Sequence, residues 1–266
     1  MSVPSDYKNE FIYKNKPVFI CKQIIKYFLP YGIYEIIKKN IFKKYFIKRI
    51  VNERLLKADR ADSEVPNDNP FKIIMRYKMW GSLESISGPG SRLRATKNIR
   101  KALPKLWKKY NIKSFMDAPC GDYYWMKEVN KDTIDYLGID IVDEIIETNN
   151  QKYQDKNIRF KCLDISEDEL PKVDMILCKD CLQHLSFENI NKTLFNFKKS
   201  GSRYLLVTSY PLTKKNWDIK DGEYRPLNLF IAPFNLPEPL LEIYEGEIGG
   251  EIDRTEYLVA LENIKL

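Results

Sequence analysis

The chain has 266 residues, 44% hydrophobic and 30% charged, the balance of an ordinary globular protein rather than a disordered one. Fourteen prolines and eleven glycines exclude collagen-like or low-complexity architecture, and lysines interrupt every apolar run before the ~18–20 residues that a membrane span requires. The formal charge of +7 would suggest nucleic acid, but residues 1–60 hold 14 Lys+Arg against 5 Asp+Glu, a net +9 that leaves −2 for the rest. A slightly acidic body opposes DNA or RNA as a partner. Five sparse cysteines (Cys21, Cys120, Cys162, Cys178, Cys181) fit a reducing compartment. Cys178 and Cys181 are spaced C-x-x-C, but without a second pair and with His184 as the sole histidine they do not make a structural zinc site. The first residues lack an uninterrupted apolar core and a small-residue cleavage site, so a cytoplasmic protein is expected.

The elements follow in chain order. Residues 1–65 read as a basic arm and linker: two amphipathic helices broken at Pro30–Tyr31–Gly32, then the polar stretch ADSEVPNDNP. Such an arm either packs on the main domain with its lysine stems over apolar surface or makes peripheral contact with an anionic membrane face. Residues 66–266 form the second domain. It opens with a helix in FKIIMRYKMW, a loop in GSLESISGPGSR, and a helix in ATKNIRKALPKLWKKYN with Ile99, Leu103 and Leu106 on one face despite Pro104. Strands are then expected at Ser114–Asp117, Tyr136–Asp140, Arg159–Asp164, Asp174–Asp180 and Tyr204–Tyr210, with helices at Tyr124–Asn130, Glu144–Tyr153 and Phe187–Lys198. This alternation predicts an α/β fold with a parallel sheet and right-handed crossovers. The tail, Leu240–Gly246, a Gly249–Gly250 turn and Glu256–Glu262, predicts an antiparallel hairpin.

Three of these strands end in acids: Asp117, then Asp140 twenty-three residues on, then Asp164. Open α/β sheets bind ligands at the carboxyl ends of their strands, and an acid about 20 residues past the first turn suits ribose hydroxyls. A pyrophosphate requires several glycines to bring backbone N–H groups close. The turn after Asp117 is Ala-Pro-Cys-Gly-Asp, in which Gly121 is the only glycine and Asp122 would repel phosphate. A ligand with an ammonium, a ribose and an adenine but no phosphate fits, and S-adenosylmethionine is such a ligand.

On these residues the sequence resembles the class I S-adenosylmethionine-dependent methyltransferases over residues 80–265. The resemblance implies a Rossmann-like seven-stranded, mostly parallel sheet with an antiparallel last strand. It also implies that Asp117, Cys120 and Gly121 lie against the methionine part. Asp140 with Ile141 would hold the ribose, Asp164 with Ile165 would bracket the adenine, and Asp180 would face the transferred methyl. Ala-Pro-Cys stands in place of the family's glycine-rich turn. SGPGSRLRAT (87–96), DAPCGDYYWM (117–126), CKDCLQHLS (178–186) and NWDIKDGEYRPLNL (216–229) further resemble bacterial methyltransferases of surface-polysaccharide gene clusters, which act on sugar hydroxyls including capsule heptoses. In that reading Gly88, Gly90 and Ser91 close over the methionine end.

A sugar hydroxyl is a poor nucleophile at neutral pH, so a base or a metal is expected beside it. His184, four residues after Asp180, is the candidate base, with Asp180 orienting the imidazole. Asp180, His184 and Asp218 are alternatively ligands for Mg²⁺ or Mn²⁺. Asn216, Trp217, Arg225 and Asn228 are candidates for binding the acceptor, a sugar or sugar nucleotide. The competing readings are methylation of a nitrogen or phosphoramidate-type group and a non-catalytic S-adenosylmethionine-binding protein.

Overall fold

The computed structural model describes residues 69–80, 82–248 and 251–265. The expected basic arm and the Gly249–Gly250 turn lie outside these. Chain order is α1 (Pro70–Arg76), α2 (Lys97–Lys109), β1 (Ser114–Asp117), β2 (Asp135–Asp140), α3 (Asp143–Tyr153), β3 (Ile158–Cys162), β4 (Met175–Cys178), α4 (Phe187–Lys199), β5 (Tyr204–Ser209), β6 (Leu241–Ile248) and β7 (Glu251–Ala260). The strands form one sheet in the order β3-β2-β1-β4-β5-β7-β6. The first five are parallel, and β7 enters antiparallel to β5 with β6 on its far side. The expected fold class and terminal hairpin are therefore present. Among the described residues no helix is long and apolar enough to cross a membrane.

The sheet is covered on both faces, as parallel sheets require. Side chains alternate: Met116, Leu137, Ile139, Ile176, Leu205, Val207 and Val259 meet Ile190, Leu194 and Phe197 of α4 on one face. Phe115, Tyr136, Met175, Leu177, Leu206 and Leu258 meet Ile99, Leu103, Leu106 and Trp107 of α2, with Ile146 of α3, on the other. Pro104 lies on the exposed side of α2, away from the packed face. Ser186 caps α4 by accepting the Asn189 N–H.

Two expected helices are shorter. The helix predicted over 71–80 stops at Arg76, because Lys78 takes a left-handed φ of 49°. The helix predicted over Tyr124–Asn130 is a single 3₁₀ turn, Met126–Glu128, since Tyr123 has φ 57° and Val129 returns to extended backbone. Tertiary packing overrides propensity there: Tyr123, Trp125 and Met126 are all buried.

Leu103 is fully buried between α2 and the sheet. Leu103→Ala should lower unfolding free energy by about 2–5 kcal/mol, measured by urea denaturation.

Candidate active site

The carboxyl end of β1 carries Asp117, 2% exposed. Its carboxylate accepts the Tyr136 hydroxyl of β2 at 2.8 Å. Burial raises its pKa from 3.8 to about 7, against the pull of that hydrogen bond and of the Lys179 and Lys131 charges. The bonded partner is a phenol rather than a cation, so an incoming cation would stabilise the ionised form.

The next turn is tied to β2. Gly121 has φ 54°, and its N–H donates to Asp140 Oδ2 at 3.0 Å. Asp140 Oδ1 accepts the Val142 N–H, also at 3.0 Å. Burial lifts the Asp140 pKa to about 6 despite these bonds. Each oxygen keeps acceptor capacity for a hydroxyl. Asn149 of α3 holds the turn from behind by donating to the Gly121 carbonyl at 2.8 Å. Cys120 is buried beside it, and burial with the neighbouring Asp140 and Asp117 pushes its thiol pKa up, leaving it neutral.

The loop before α2 is fastened to this turn. Asp122 accepts from the Ser85 hydroxyl (2.9 Å), the Ile86 N–H (2.9 Å) and the Ser87 hydroxyl (3.1 Å). A Cβ on Gly121 would lie 2.2 Å from Ser87 Oγ, so only glycine admits the loop. Gly88, Gly90 and Ser91 follow in that loop, and Ser87 and Ser91 line the cleft beneath.

The cleft encloses about 190 Å³ at the carboxyl ends of β1, β2 and β4. Asp117, Cys120, Gly121 and Asp140 form its floor, and Ile141, Val142, Ile145, Leu163 and Ile165 make an apolar wall at one end. Asp164 lies on that wall, where its Oδ1 accepts the Ser166 N–H and hydroxyl at 2.8 and 2.6 Å. A larger hollow of about 530 Å³ opens around Lys113, Asp174 and Arg203 at the amino ends of β1 and β4. Ligands of open α/β sheets bind at the opposite edge, which selects the smaller cleft. A buried carboxyl seeking a cation, a second with hydroxyl-accepting capacity and an apolar slot fit the ammonium, ribose and adenine of S-adenosylmethionine.

The far side begins at the end of β4. Asp180, with φ 51°, donates its N–H to Thr208 Oγ1 at 2.7 Å. Its carboxylate is paired with both Lys179 and Arg254. These cations hold its pKa well below the ordinary carboxylate range despite burial. A carboxylate so paired is a poor proton acceptor.

His184 closes a 3₁₀ turn, Leu182–His184, and borders the cleft. Its Nδ1 lies 2.9 Å from the Glu223 carbonyl. A carbonyl only accepts, so Nδ1 carries the proton and Nε2 keeps its lone pair. Burial lowers the imidazole pKa, against the raising influence of the Glu223 carbonyl and Asp180. The neutral, basic tautomer is thus oriented by a backbone carbonyl rather than by a helical i to i+4 contact with Asp180. Trp80 and Tyr224 flank the ring at 5.7 and 5.5 Å between centroids.

The segment 216–228 does different work from that expected. Arg225 is fully buried and donates to the Leu185 carbonyl at 2.7 Å, while the Gly222 N–H donates to the His184 carbonyl at 2.8 Å. Asp218 accepts the Phe187 N–H at 2.7 Å at the start of α4, where a carboxylate meets the positive end of the helix dipole. Asn216 and Asn228 spend their amides on each other and on the carbonyls of Pro211, Thr213 and Ala232. None of Asn216, Trp217, Asp218, Arg225 and Asn228 is among the residues lining the cleft. The segment braces the His184 turn, and of its residues Asp221 reaches the cleft lining. Nor do Asp180, His184 and Asp218 form a metal site: among the described residues no group of three His, Cys, Asp or Glu side chains is arranged to hold an ion.

Sequence reasoning missed Lys179, Trp80, Trp125 and Asp221, which border the cleft, and Arg254 and Asp122 behind it. A lysine closing the apolar run Met-Ile-Leu-Cys was a legible signal for Lys179. Arg254 sits in a hairpin strand whose inward face cannot be told without the sheet partner.

Residues 115–200 match a family model described as "Methyltransferase domain". Phosphoethanolamine N-methyltransferase of Plasmodium falciparum (isolate 3D7) is 40% identical over 96 residues, 33% of this chain and 35% of that protein. The match thus spans about a third of that relative's length. Among solved structures, N-methyltransferase NodS from Bradyrhizobium japonicum WM9, in complex with S-adenosyl-L-homocysteine, has a TM-score of 0.54 at 13% identity, covering 73% of this chain and 98% of that one. Residues 115–200 thus match a methyltransferase domain model, and the sheet order and the structural likeness show that the chain shares the fold of that solved methyltransferase.

Because Asp117 binds a proton more tightly folded than unfolded, its ionisation costs stability as pH rises from about 4 to about 7. At ~1.4 kcal/mol per pH unit this amounts to at most ~4 kcal/mol. In Asp117→Asn the amide oxygen still accepts from Tyr136, but the slope should shrink. Urea denaturation at pH 5 and pH 8 should show the ligand-free variant more stable than wild type at pH 8.

Proposed function

We propose that the protein transfers a methyl group from S-adenosylmethionine to a hydroxyl of a small, sugar-type acceptor, free or nucleotide-linked. The observation that carries this reading is His184: a neutral imidazole at the cleft whose Nδ1–H is committed to the Glu223 carbonyl, leaving Nε2 to take a proton. When bound, S-adenosylmethionine supplies an electrophilic methyl. Asp117 offers the charge for its ammonium, Asp140 the acceptors for its ribose, and Ile141 and Ile165 the apolar contact for its adenine. Trp80 offers a flat apolar face beside His184, suited to the C–H side of a sugar ring. The acceptor class rests on the resemblance of segments 87–96, 117–126, 178–186 and 216–229 to sugar methyltransferases of surface-polysaccharide clusters. That setting places the work in the cytoplasm, with the basic arm of residues 1–65 as an accessory at the membrane face.

A second reading, methylation of an amine, is favoured by the 40% identity to a phosphoethanolamine N-methyltransferase and the likeness to a second N-methyltransferase. Incubating the protein with S-adenosylmethionine and either sugar nucleotides or phosphoethanolamine, then scanning by mass spectrometry for the gain of one methyl, separates the two. Methylated phosphoethanolamine with unaltered sugars would overturn the hydroxyl reading.

His184→Asn keeps size and the bond to Glu223 but removes the base, so turnover should fall by ~10²–10⁴ with little change in cofactor affinity. Wild-type turnover should rise through a pKa below 6.5 and then plateau, as expected for a base that works deprotonated. Asp140→Ala should instead weaken S-adenosylmethionine binding by roughly 1.5–3 kcal/mol, read by calorimetry.

A further inference from the structure

Arg254 lies on β7, outside every segment that carries the motifs, yet its side chain is 1% exposed and ends on Asp180, which lines the cleft. One terminal nitrogen is paired with Asp180 and lies 3.5 Å from the Gly90 carbonyl. The other donates to the Ala95 carbonyl at 2.8 Å and to Glu245 Oε2 at 3.2 Å. Lys179 repeats half of this, pairing with Asp180 and donating to the Gly90 carbonyl at 3.1 Å. Glu245 in turn accepts the Ile99 N–H at 2.9 Å at the start of α2. The fit is close: a Cβ on Gly90 would lie 2.3 Å from Asp180 Oδ2. Two unrelated parts of the chain, the loop entering α2 and the end of β4, are thus joined through one guanidinium that bridges both. A buried charge of this kind is stable only with its partners in place, so the loop and Asp180 hold position together.

We propose that Arg254 is a positioning residue for the cleft: through Asp180 and the carbonyls of Gly90 and Ala95 it holds the segment 88–95 closed over the methionine end. The inference rests on the reading of the cleft as the S-adenosylmethionine site. The segment is fixed at its other end by Asp122, which receives Ser85, Ile86 and Ser87. At the opposite end Arg254 shares the hold with Lys179, which donates to the Gly90 carbonyl, and with Arg100, which donates to the Leu93 carbonyl at 2.8 Å. The fork matters as much as the charge, because one ammonium cannot span acceptors on the loop, β4 and β6 at once.

The test uses Arg254→Lys and, since a buried arginine can be needed for folding, Gly90→Ala, which breaks the same contact from the loop side. Two quantities are read: the dissociation constant for S-adenosylhomocysteine by calorimetry, and the rate of tryptic cleavage after Arg92 and Arg94 relative to Lys152 in α3 and Lys199 in α4. Both variants should bind at least tenfold more weakly and be cut faster at Arg92 and Arg94, with Lys152 and Lys199 still protected. Wild-type affinity with unchanged cleavage in either folded variant overturns the proposal, as does faster cleavage at all four sites together, which marks a merely structural role. If Arg254→Lys does not fold, Gly90→Ala decides alone. Failure of the wild-type protein to bind S-adenosylhomocysteine overturns the reading of the cleft, and the cleavage comparison then decides whether Arg254 closes the loop.

Discussion

Asp140 accepts one N–H from the turn after β1 and one from the turn after β2. A single buried carboxylate thereby sets the spacing between two strand ends and fixes the floor of the cleft. The strands supply the direction: parallel pairing of β1 with β2 and β4 brings their carboxyl ends to one edge. Desolvation opposes the arrangement, as the raised pKa of Asp140 and of Asp117 records. The hydrophobic layers on both sheet faces offset that cost, so the site can keep two carboxyls poised for a ligand carrying positive charge and hydroxyls.

The opposite wall follows another electrostatic logic. Asp180 is satisfied within the protein by Lys179 and Arg254, and its ionised state is secure. Glu256 lies deeper, receiving Thr208 Oγ1 at 3.0 Å, and burial raises its pKa to about 8, so it is mostly protonated at neutral pH. Among the described residues Asp117 and Asp140 have no cation in direct contact, whereas Asp180 on the far side has two. That difference separates groups available to a ligand from groups that hold the wall.

The position of His184 is set by the loop that follows α4 and β5. Its turn is held by the Gly222 N–H, by Arg225 on the Leu185 carbonyl, and by the Glu223 carbonyl on Nδ1. Asp218 and Asp221 complete the brace at the N-terminus of α4, where Asp221 accepts the Ser186 N–H at 2.6 Å. The distinctive segment 216–229 is thus explained by support of the imidazole, a role its polar composition suggested only as acceptor binding.

The periodic apolar runs determined the five parallel strands, α2, α3, α4 and the terminal hairpin, because alternation and helical spacing are local properties of the chain. Asp117, Asp140 and Gly121 were legible for the same reason: a strand end followed by a tight turn is written in consecutive residues. What Arg225, Asn216, Asn228 and Asp218 do was not legible, since a polar side chain in a loop reads alike whether it meets a ligand or a backbone carbonyl. The short turn at Met126–Glu128 and the joining of Arg254 to Asp180 were decided by the tertiary structure alone. Both depend on which surfaces remain to be buried and which charges remain to be paired once residues far apart in sequence are packed against one sheet.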